Sequence, residues 1–92
     1  MFMHRLHVII NGKVTGVFFR KYIKEKAQHL GLTGFVRNTE EGKVEAVFEG
    51  SKAVIDKMIE FCYQGPKMVL VENLRVIEEK PTRKYKSFDI IL

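Results

Sequence analysis

The chain has 92 residues, 46% of them hydrophobic and 29% charged, which is ordinary for a soluble globular protein, and we therefore expect one domain over residues 1–92. No apolar run reaches the roughly 20 residues of a membrane-spanning helix, and the N-terminal "MFMHRLHV" lacks the apolar stretch of a signal peptide, so we expect a cytoplasmic protein without a membrane segment. The net charge of +5 favours anionic partners, from small phosphates to nucleic acid, and the single cysteine excludes an intrachain disulfide.

The first half of the chain predicts a strand, a helix and a hairpin. Residues 4–12 alternate, with Leu6, Val8 and Ile10 on one side, as in a half-buried strand. Apolar residues recur at helical spacing over residues 19–30, and Gly31 follows as a stop. Residues 34–38 and 43–49 predict a hairpin across "TEEG", in which Gly42 suits a left-handed position.

The second half predicts another helix and two strands. Ser51 is a candidate N-cap for a helix that ends at "QGP", residues 64–66. Cys62 lies in the apolar stripe of this helix, so we interpret it as a small buried hydrophobic residue. Residues 68–79 predict a fourth strand. Residues 85–92, which alternate through Phe88, Ile90 and Leu92, predict a last one.

This element order is β-α-β-β-α-β followed by a terminal strand. It predicts an α+β fold of the ferredoxin-like split βαβ type, a sandwich in which an antiparallel sheet carries two helices on one face. In this layout the first strand and the strand after the first helix are neighbours or near neighbours, so the segments that follow them can meet.

The junction "NGKVTGVFFRK", residues 11–21, leads into the first helix without a Ser, Asp or Asn cap. A helix start leaves four N–H groups unpaired, and glycines at 12 and 16 let the backbone bend. A curved row of amides at a helix N-terminus can hold phosphate, and Arg20 would add a guanidinium that matches phosphate oxygens. The alternative is that water caps the helix and that Arg20 is a surface residue.

Asn38 stands at a predicted strand end, just before the hairpin turn. Its amide has donors and an acceptor, so it can hold a water molecule or an oxyanion. The alternative is an Asn that satisfies its own turn.

Two stretches together resemble the signature motifs of the acylphosphatase family. "GKVTGVFFR" (12–20) departs from the family pattern at Thr15, where the family commonly carries Gln, and matches it at Gly12, Val14, Gly16, Val17, Phe19 and Arg20. "GFVRNTEEGKVEAVFEG" (34–50) matches the family spacing throughout. The resemblance extends over nearly the whole chain, and two spaced motifs are far more specific than either one.

The resemblance implies an enzyme that hydrolyses the carboxyl–phosphate bond of acyl phosphates. Arg20 and the backbone amides of residues 15–20 would bind the phosphoryl group, Asn38 would position the attacking water, and the Thr39 hydroxyl would support that geometry. The implied substrate-binding residues are Thr15, Gly16, Val17, Phe18, Phe19, Arg20 and Thr39. Inorganic phosphate or sulfate is an expected ligand of the site. No cofactor or metal is implied, and we expect a monomer.

Two other functions remain as alternatives. RNA-recognition modules share this fold, but the exposed side of strand 43–49 would carry Glu45 and Glu49 and no ring for base stacking, so nucleic-acid binding is not expected. The other alternative is a non-catalytic module of this family, against which the length and the presence of both Arg20 and Asn38 argue. The spacing of His4 and His7 places them on opposite sides of a strand, which argues against a shared metal.

Overall fold

The structure is a computed structural model that describes residues 2–92, and in this range the chain forms five strands and two helices. In chain order they are β1 (His4–Lys13), α1 (Val17–His29), β2 (Thr33–Asn38), β3 (Val44–Gly50), α2 (Lys52–Gln64), β4 (Leu70–Glu79) and β5 (Phe88–Ile90). No helix within residues 2–92 is long and apolar enough to span a membrane.

The strands form one sheet in the order β4-β1-β3-β2-β5. The pairs β4–β1, β1–β3 and β3–β2 are antiparallel, whereas β5 lies parallel to β2, so the sheet is mixed at one edge. Helix α1 packs over β2 and β5, α2 packs over β1, β3 and β4, and the helices contact each other. The predicted ferredoxin-like α+β fold is confirmed.

One hydrophobic core lies between the helices and the sheet. The side of β1 predicted to be buried is confirmed, since Leu6, Val8 and Ile10 are at most 5% exposed. Phe48 stacks on Phe88 with ring centroids 5.3 Å apart. The other core residues from the helices and from β2 and β3 are Phe19, Ile23, Ala27, Val36, Val44, Ala46, Ile55, Met58 and Cys62.

The opposite side of the sheet, which we call the open face, carries a chain of paired charges. His7 lies between Glu45 (Nε2 to Oε2, 2.6 Å) and Glu79 (Nδ1 to Oε2, 3.2 Å). Arg5 bonds Glu79 at 2.8 Å and Glu49 at 3.1 Å. Arg37 pairs with Glu45 from the neighbouring strand. The carboxylates of Glu45 and Glu49, which the sequence places on this side of the strand, are therefore paired with Arg37 and Arg5.

Local backbone geometry agrees with the predicted ends of the first helix and the hairpin. Gly31 takes a left-handed φ of 73° after α1, and Gly42 one of 79° in the hairpin turn. Ser51 occupies the N-cap position of α2 without a side-chain hydrogen bond. Gly12 lies in a bulge of β1 rather than in the turn. A Cβ on Gly12 would come within 2.1 Å of Leu70 O. Only glycine fits that approach.

The predicted last strand over residues 85–92 is wrong in length. β5 has three residues because it pairs only with residues 34–36 of β2. The last residue of β5, Ile90, is 37% exposed, and Leu92 beyond the strand is fully exposed, so the alternation does not mark a buried side. Before it, residues 80–87 fold over the open face.

Candidate active site

The junction between β1 and α1 is an uncapped helix start, as the sequence predicts. Gly16 is the N-cap residue, with φ 108° and ψ 165°, a conformation close to glycine-only. No side-chain cap bonds to the helix start, and its first turn has no acidic residue. A Cβ on Gly16 would meet no atom within 4 Å, so the turn borders open space.

The N–H groups at the start of this turn donate no turn or cap hydrogen bond that the structure describes. Among residues 2–92, the backbone hydrogen bonds of turns and helix caps include none donated by Thr15 or Gly16. The first N–H groups of a helix point out along its axis and carry the positive end of its dipole. The junction therefore presents partial positive charge to whatever fills the space beside Gly16.

Arg20 lies in the first turn of α1 and is half-buried. Its Nε atom is buried and has no hydrogen-bond partner among residues 2–92. The side-chain contacts with carboxylates described for this range are made by Arg5, Arg37, Lys52, His4 and His7, and do not include Arg20. Arg20 therefore shares the first turn of α1 with the uncapped amides, and no carboxylate within the described residues pairs with it.

Asn38 is the last residue of β2 and is also half-buried. It lies two residues after Val36, which is fully buried under the helices, so both side chains point to the helix side of the sheet. Its Oδ1 is the other buried side-chain atom without a partner in residues 2–92. Asn38 therefore does not satisfy its own turn through this oxygen.

The sheet topology brings the two residues to the same end of the molecule. β1 and β2 both pair antiparallel with β3, which lies between them, so β1 and β2 run in the same direction and end at the same edge. Arg20 follows the end of β1 through the turn, and Asn38 ends β2. We call this edge, with the turn at residues 14–16, the loop end.

Thr39 lies elsewhere. Its Oγ1 accepts a hydrogen bond from Lys43 N at 3.1 Å, and its own N–H donates to Lys43 O at 2.8 Å, so it closes the β2–β3 turn. It also lines a cavity of about 620 Å³ on the open face, together with Arg37, Glu45 and Arg75. The structure does not bring the Thr39 hydroxyl to the side of the sheet that Asn38 faces.

The remaining reactive side chains offer no second centre. Within residues 2–92 there is no group of three His, Cys, Asp or Glu residues able to hold a metal ion. Cys62 is fully buried, as predicted, and burial raises the pKa of its thiol to about 12, which keeps it protonated. Its thiol is therefore not suited to act as a nucleophile.

Two features of this region were missed from sequence. The burial of single atoms, Arg20 Nε and Asn38 Oδ1, depends on packing between distant segments and has no sequence signal. Phe35, paired in register with Val47, places a ring on the open face, 6.0 Å from the Tyr85 ring. The alternation of β2 around Val36 could have predicted that orientation.

Comparisons with known proteins show which family this chain belongs to. A sequence model described as "Acylphosphatase" matches residues 6–90. A curated protein named "Acylphosphatase" from Roseiflexus sp. (strain RS-1) is 47% identical over 91 residues, 99% of this chain and 98% of its own.

Solved structures give the same result. An acylphosphatase from Bacillus subtilis superposes with a TM-score of 0.92 at 27% identity, over 97% of this chain and 99% of that one. An acylphosphatase from Coxiella burnetii gives 0.90 at 36% identity, over 97% and 93% of the two chains. The resemblance inferred from the two motifs is confirmed by these matches.

Proposed function

Because the chain belongs to the acylphosphatase family and is an enzyme of this type, we propose that Arg20 and the amides of residues 15–20 hold the phosphoryl group of an acyl phosphate while Asn38 orients the attacking water. The observation that carries this proposal is the pair of buried, unpartnered atoms at the loop end, Arg20 Nε and Asn38 Oδ1. A buried polar atom without a partner costs about 1–3 kcal/mol, so a ligand that supplies the partner regains that energy on binding.

The ligand chemistry follows from the charges at the loop end. A phosphoryl group accepts hydrogen bonds on three oxygens, which suits a row of N–H donors beside a guanidinium. Asn38 Oδ1 is an acceptor, so it suits a water molecule that donates one hydrogen to it and turns a lone pair towards phosphorus. Phosphoryl transfer passes through a loose transition state, so catalysis is mainly positioning and charge stabilisation.

The reaction balances without an enzyme base. The bond between phosphorus and the carboxylate oxygen breaks, and its electron pair leaves with the carboxylate, which is stable enough to need no general acid. Water forms the new P–O bond, and its proton passes to an oxygen of the phosphoryl group, because the Asn38 amide is not basic. The rate near neutral pH should then show no titration of an enzyme group, and such a titration would contradict this step.

The other proposed residues have lesser roles. Thr15, Gly16, Val17, Phe18 and Phe19 act through their backbone amides. Thr39 is a positioning residue that shapes the turn after Asn38. Inorganic phosphate, the product, and sulfate should bind the same site as competitive inhibitors. A monomer acting in the cytoplasm without a metal remains our expectation.

The direct test is acetyl phosphate hydrolysis in the presence of a metal chelator. Removing one preorganised charge or hydrogen-bond donor typically costs about 10²–10³-fold in rate, and we expect losses of that size in kcat/KM for Arg20→Ala and in kcat for Asn38→Ala. Arg75→Ala and Asn73→Ala are matched controls, because both residues are exposed on β4. They should keep parental kinetics.

Stability measurements separate catalysis from folding. Since Asn38 Oδ1 has no partner, Asn38→Ala should unfold at the parental urea concentration or a higher one. Full activity in either Arg20→Ala or Asn38→Ala would remove the role assigned to that residue. Loss of activity that parallels loss of folded protein would also count against the assignment.

A further inference from the structure

We propose that the side chain of Phe18, with Pro66, Met68 and Val69, forms an apolar rim that binds the acyl group, so that the enzyme favours acyl phosphates with an apolar acyl chain. This inference rests on the proposed function and concerns the half of the substrate that the phosphate site does not hold. Phe18 is 76% exposed and Met68 is 91% exposed, although both are large apolar side chains. Apolar side chains that are exposed singly are common, whereas exposed apolar side chains that lie together mark ligand-binding or interaction sites.

Phe18 lies on the side of α1 that faces α2. Tyr22, one turn later on the same side, is covered by Lys26, whose Nζ also lies 4.6 Å from the Phe61 ring of α2. The helices run in opposite directions, because α1 starts at the loop end and α2 leads from the end of β3 towards the start of β4. Phe18, which is one turn before Tyr22, therefore lies beside residues 65–69, the segment that follows α2.

Residues 65–69 join α2 to β4 at the loop end. Leu70, the first residue of β4, pairs with Lys13, the last residue of β1. Val69 N donates to Pro66 O at 3.0 Å, which folds the segment into a turn, and Val69 packs against the core. Met68 stands on this turn with its side chain in solvent, so Phe18 and Met68 border the phosphate loop on its β4 side.

Arg20 and Asn38 lie on the other side of the loop. Positions two apart on a helix point about 160° from each other, so Phe18 and Arg20 flank the first turn of α1. In the sheet, β4 is next to β1 on one side, whereas β2 is two strands away on the other, at about 10 Å by the usual spacing. The loop end is therefore polar towards β2 and apolar towards β4.

In-line attack connects this asymmetry to the substrate. The attacking and leaving oxygens lie on opposite sides of phosphorus in phosphoryl transfer. If Asn38 directs water from the β2 side, the leaving carboxylate and its acyl chain extend towards β4, where Phe18, Pro66, Met68 and Val69 are. Each methylene that this rim removes from water favours binding, which predicts selectivity by chain length.

The test compares acetyl, butanoyl and hexanoyl phosphate in the parent, Phe18→Ser and Met68→Ser. We expect the parent to favour hexanoyl over acetyl phosphate by about tenfold in kcat/KM. The difference should come from a lower KM for hexanoyl phosphate, because the acyl chain is bound both before and during the reaction. In each variant this selectivity ratio should fall about threefold to fivefold. The ratio is unaffected by partial unfolding, since inactive protein is lost for both substrates alike.

Phe2→Ser is the matched control. Phe2 is 87% exposed and precedes β1, so it lies at the end of the sheet opposite the loop end. This variant should keep the parental ratio. A parent with no chain-length preference, or Phe18→Ser and Met68→Ser variants with the parental ratio, would overturn the inference while leaving the proposed function intact.

Other outcomes separate the inference from the proposed function. If the parent hydrolyses none of the three acyl phosphates, the proposed function fails and the inference fails with it. If sedimentation shows a dimer that Phe18→Ser or Met68→Ser dissociates, the patch binds a second copy of the chain and the inference is overturned. A monomer whose selectivity depends on both residues supports it.

Discussion

At the scale of residues, one buried polar side chain has all its hydrogen bonds, whereas two others bury an atom that has none. Glu49 is 1% exposed, and its carboxylate accepts hydrogen bonds from Thr82 N (2.9 Å), Thr82 Oγ1 (3.1 Å), Arg83 N (3.1 Å) and Arg5 Nη1 (3.1 Å). Arg20 and Asn38 each bury an atom with no partner. A fully satisfied network such as that of Glu49 stabilises the fold, whereas the unsatisfied atoms cost stability and fit a ligand-binding role.

Glu49 gives the first prediction at this scale. Removing its charge in Glu49→Gln leaves Arg5 without one of its carboxylates. It also turns an amide NH₂ towards the backbone N–H of Arg83, or towards the backbone N–H of Thr82 and the guanidinium of Arg5, and these groups can only donate. Breaking a buried charged network of this kind typically costs about 3 kcal/mol, which should appear as a lower urea midpoint at neutral pH. Glu40→Gln, in the exposed hairpin turn, is the control and should unfold like the parent.

The same residue predicts a pH dependence. Burial alone would raise the pKa of the Glu49 carboxyl, but the hydrogen bonds from Thr82, Arg5 and Arg83 outweigh it, so that its pKa lies below the ordinary 4.5. A lowered pKa stabilises the fold above the unfolded value and loses that effect as pH falls through the folded one. The parent should therefore lose more stability below about pH 4.5 than Glu49→Gln. Equal acid sensitivity of the two proteins would contradict this account.

At the scale of elements, the sequence predicted segments by their periodicity and turn residues. The stripe of α1 and the alternation of β1 are strong signals, because each buries one side against the same core. β5 gave a misleading signal, because Phe88, Ile90 and Leu92 alternate while only Phe88 has a buried site. Pairing, not alternation, sets the length of that strand, and pairing depends on β2, which is distant in sequence.

A short strand that holds one core ring should still matter for stability. Phe88 is 1% exposed and stacks on Phe48, so Phe88→Ala removes a buried ring and should cost about 3–5 kcal/mol in the free energy of unfolding. Ile90→Ala, two residues later in the same strand, is the control. Ile90 is 37% exposed, so its loss should cost less than about 1 kcal/mol. Equal costs in urea unfolding would show that Phe88 is not part of the core.

At the scale of the whole molecule, topology makes the candidate site. Residue types and spacing predicted that Arg20, Asn38 and the uncapped turn belong to the candidate site. The split βαβ order predicted that the two segments can meet. The sequence could not predict which side of the sheet the Thr39 hydroxyl faces, because that depends on the hydrogen bond that it accepts from Lys43 N. It also could not predict that Thr82 and Arg83 bond Glu49 from 33 and 34 positions away, because that contact depends on the fold.

The central claim is that the bare turn and Arg20 bind a phosphoryl group while Asn38 lies beside it. The most direct measurement is an NMR titration of backbone and side-chain amides with inorganic phosphate, in the parent and in Arg20→Ala. We predict saturable shifts in the amides of residues 15–20 and in the side-chain amide of Asn38, and much weaker binding in Arg20→Ala. Saturating phosphate that leaves these signals unmoved in the parent, or that shifts them equally in Arg20→Ala, would contradict the claim.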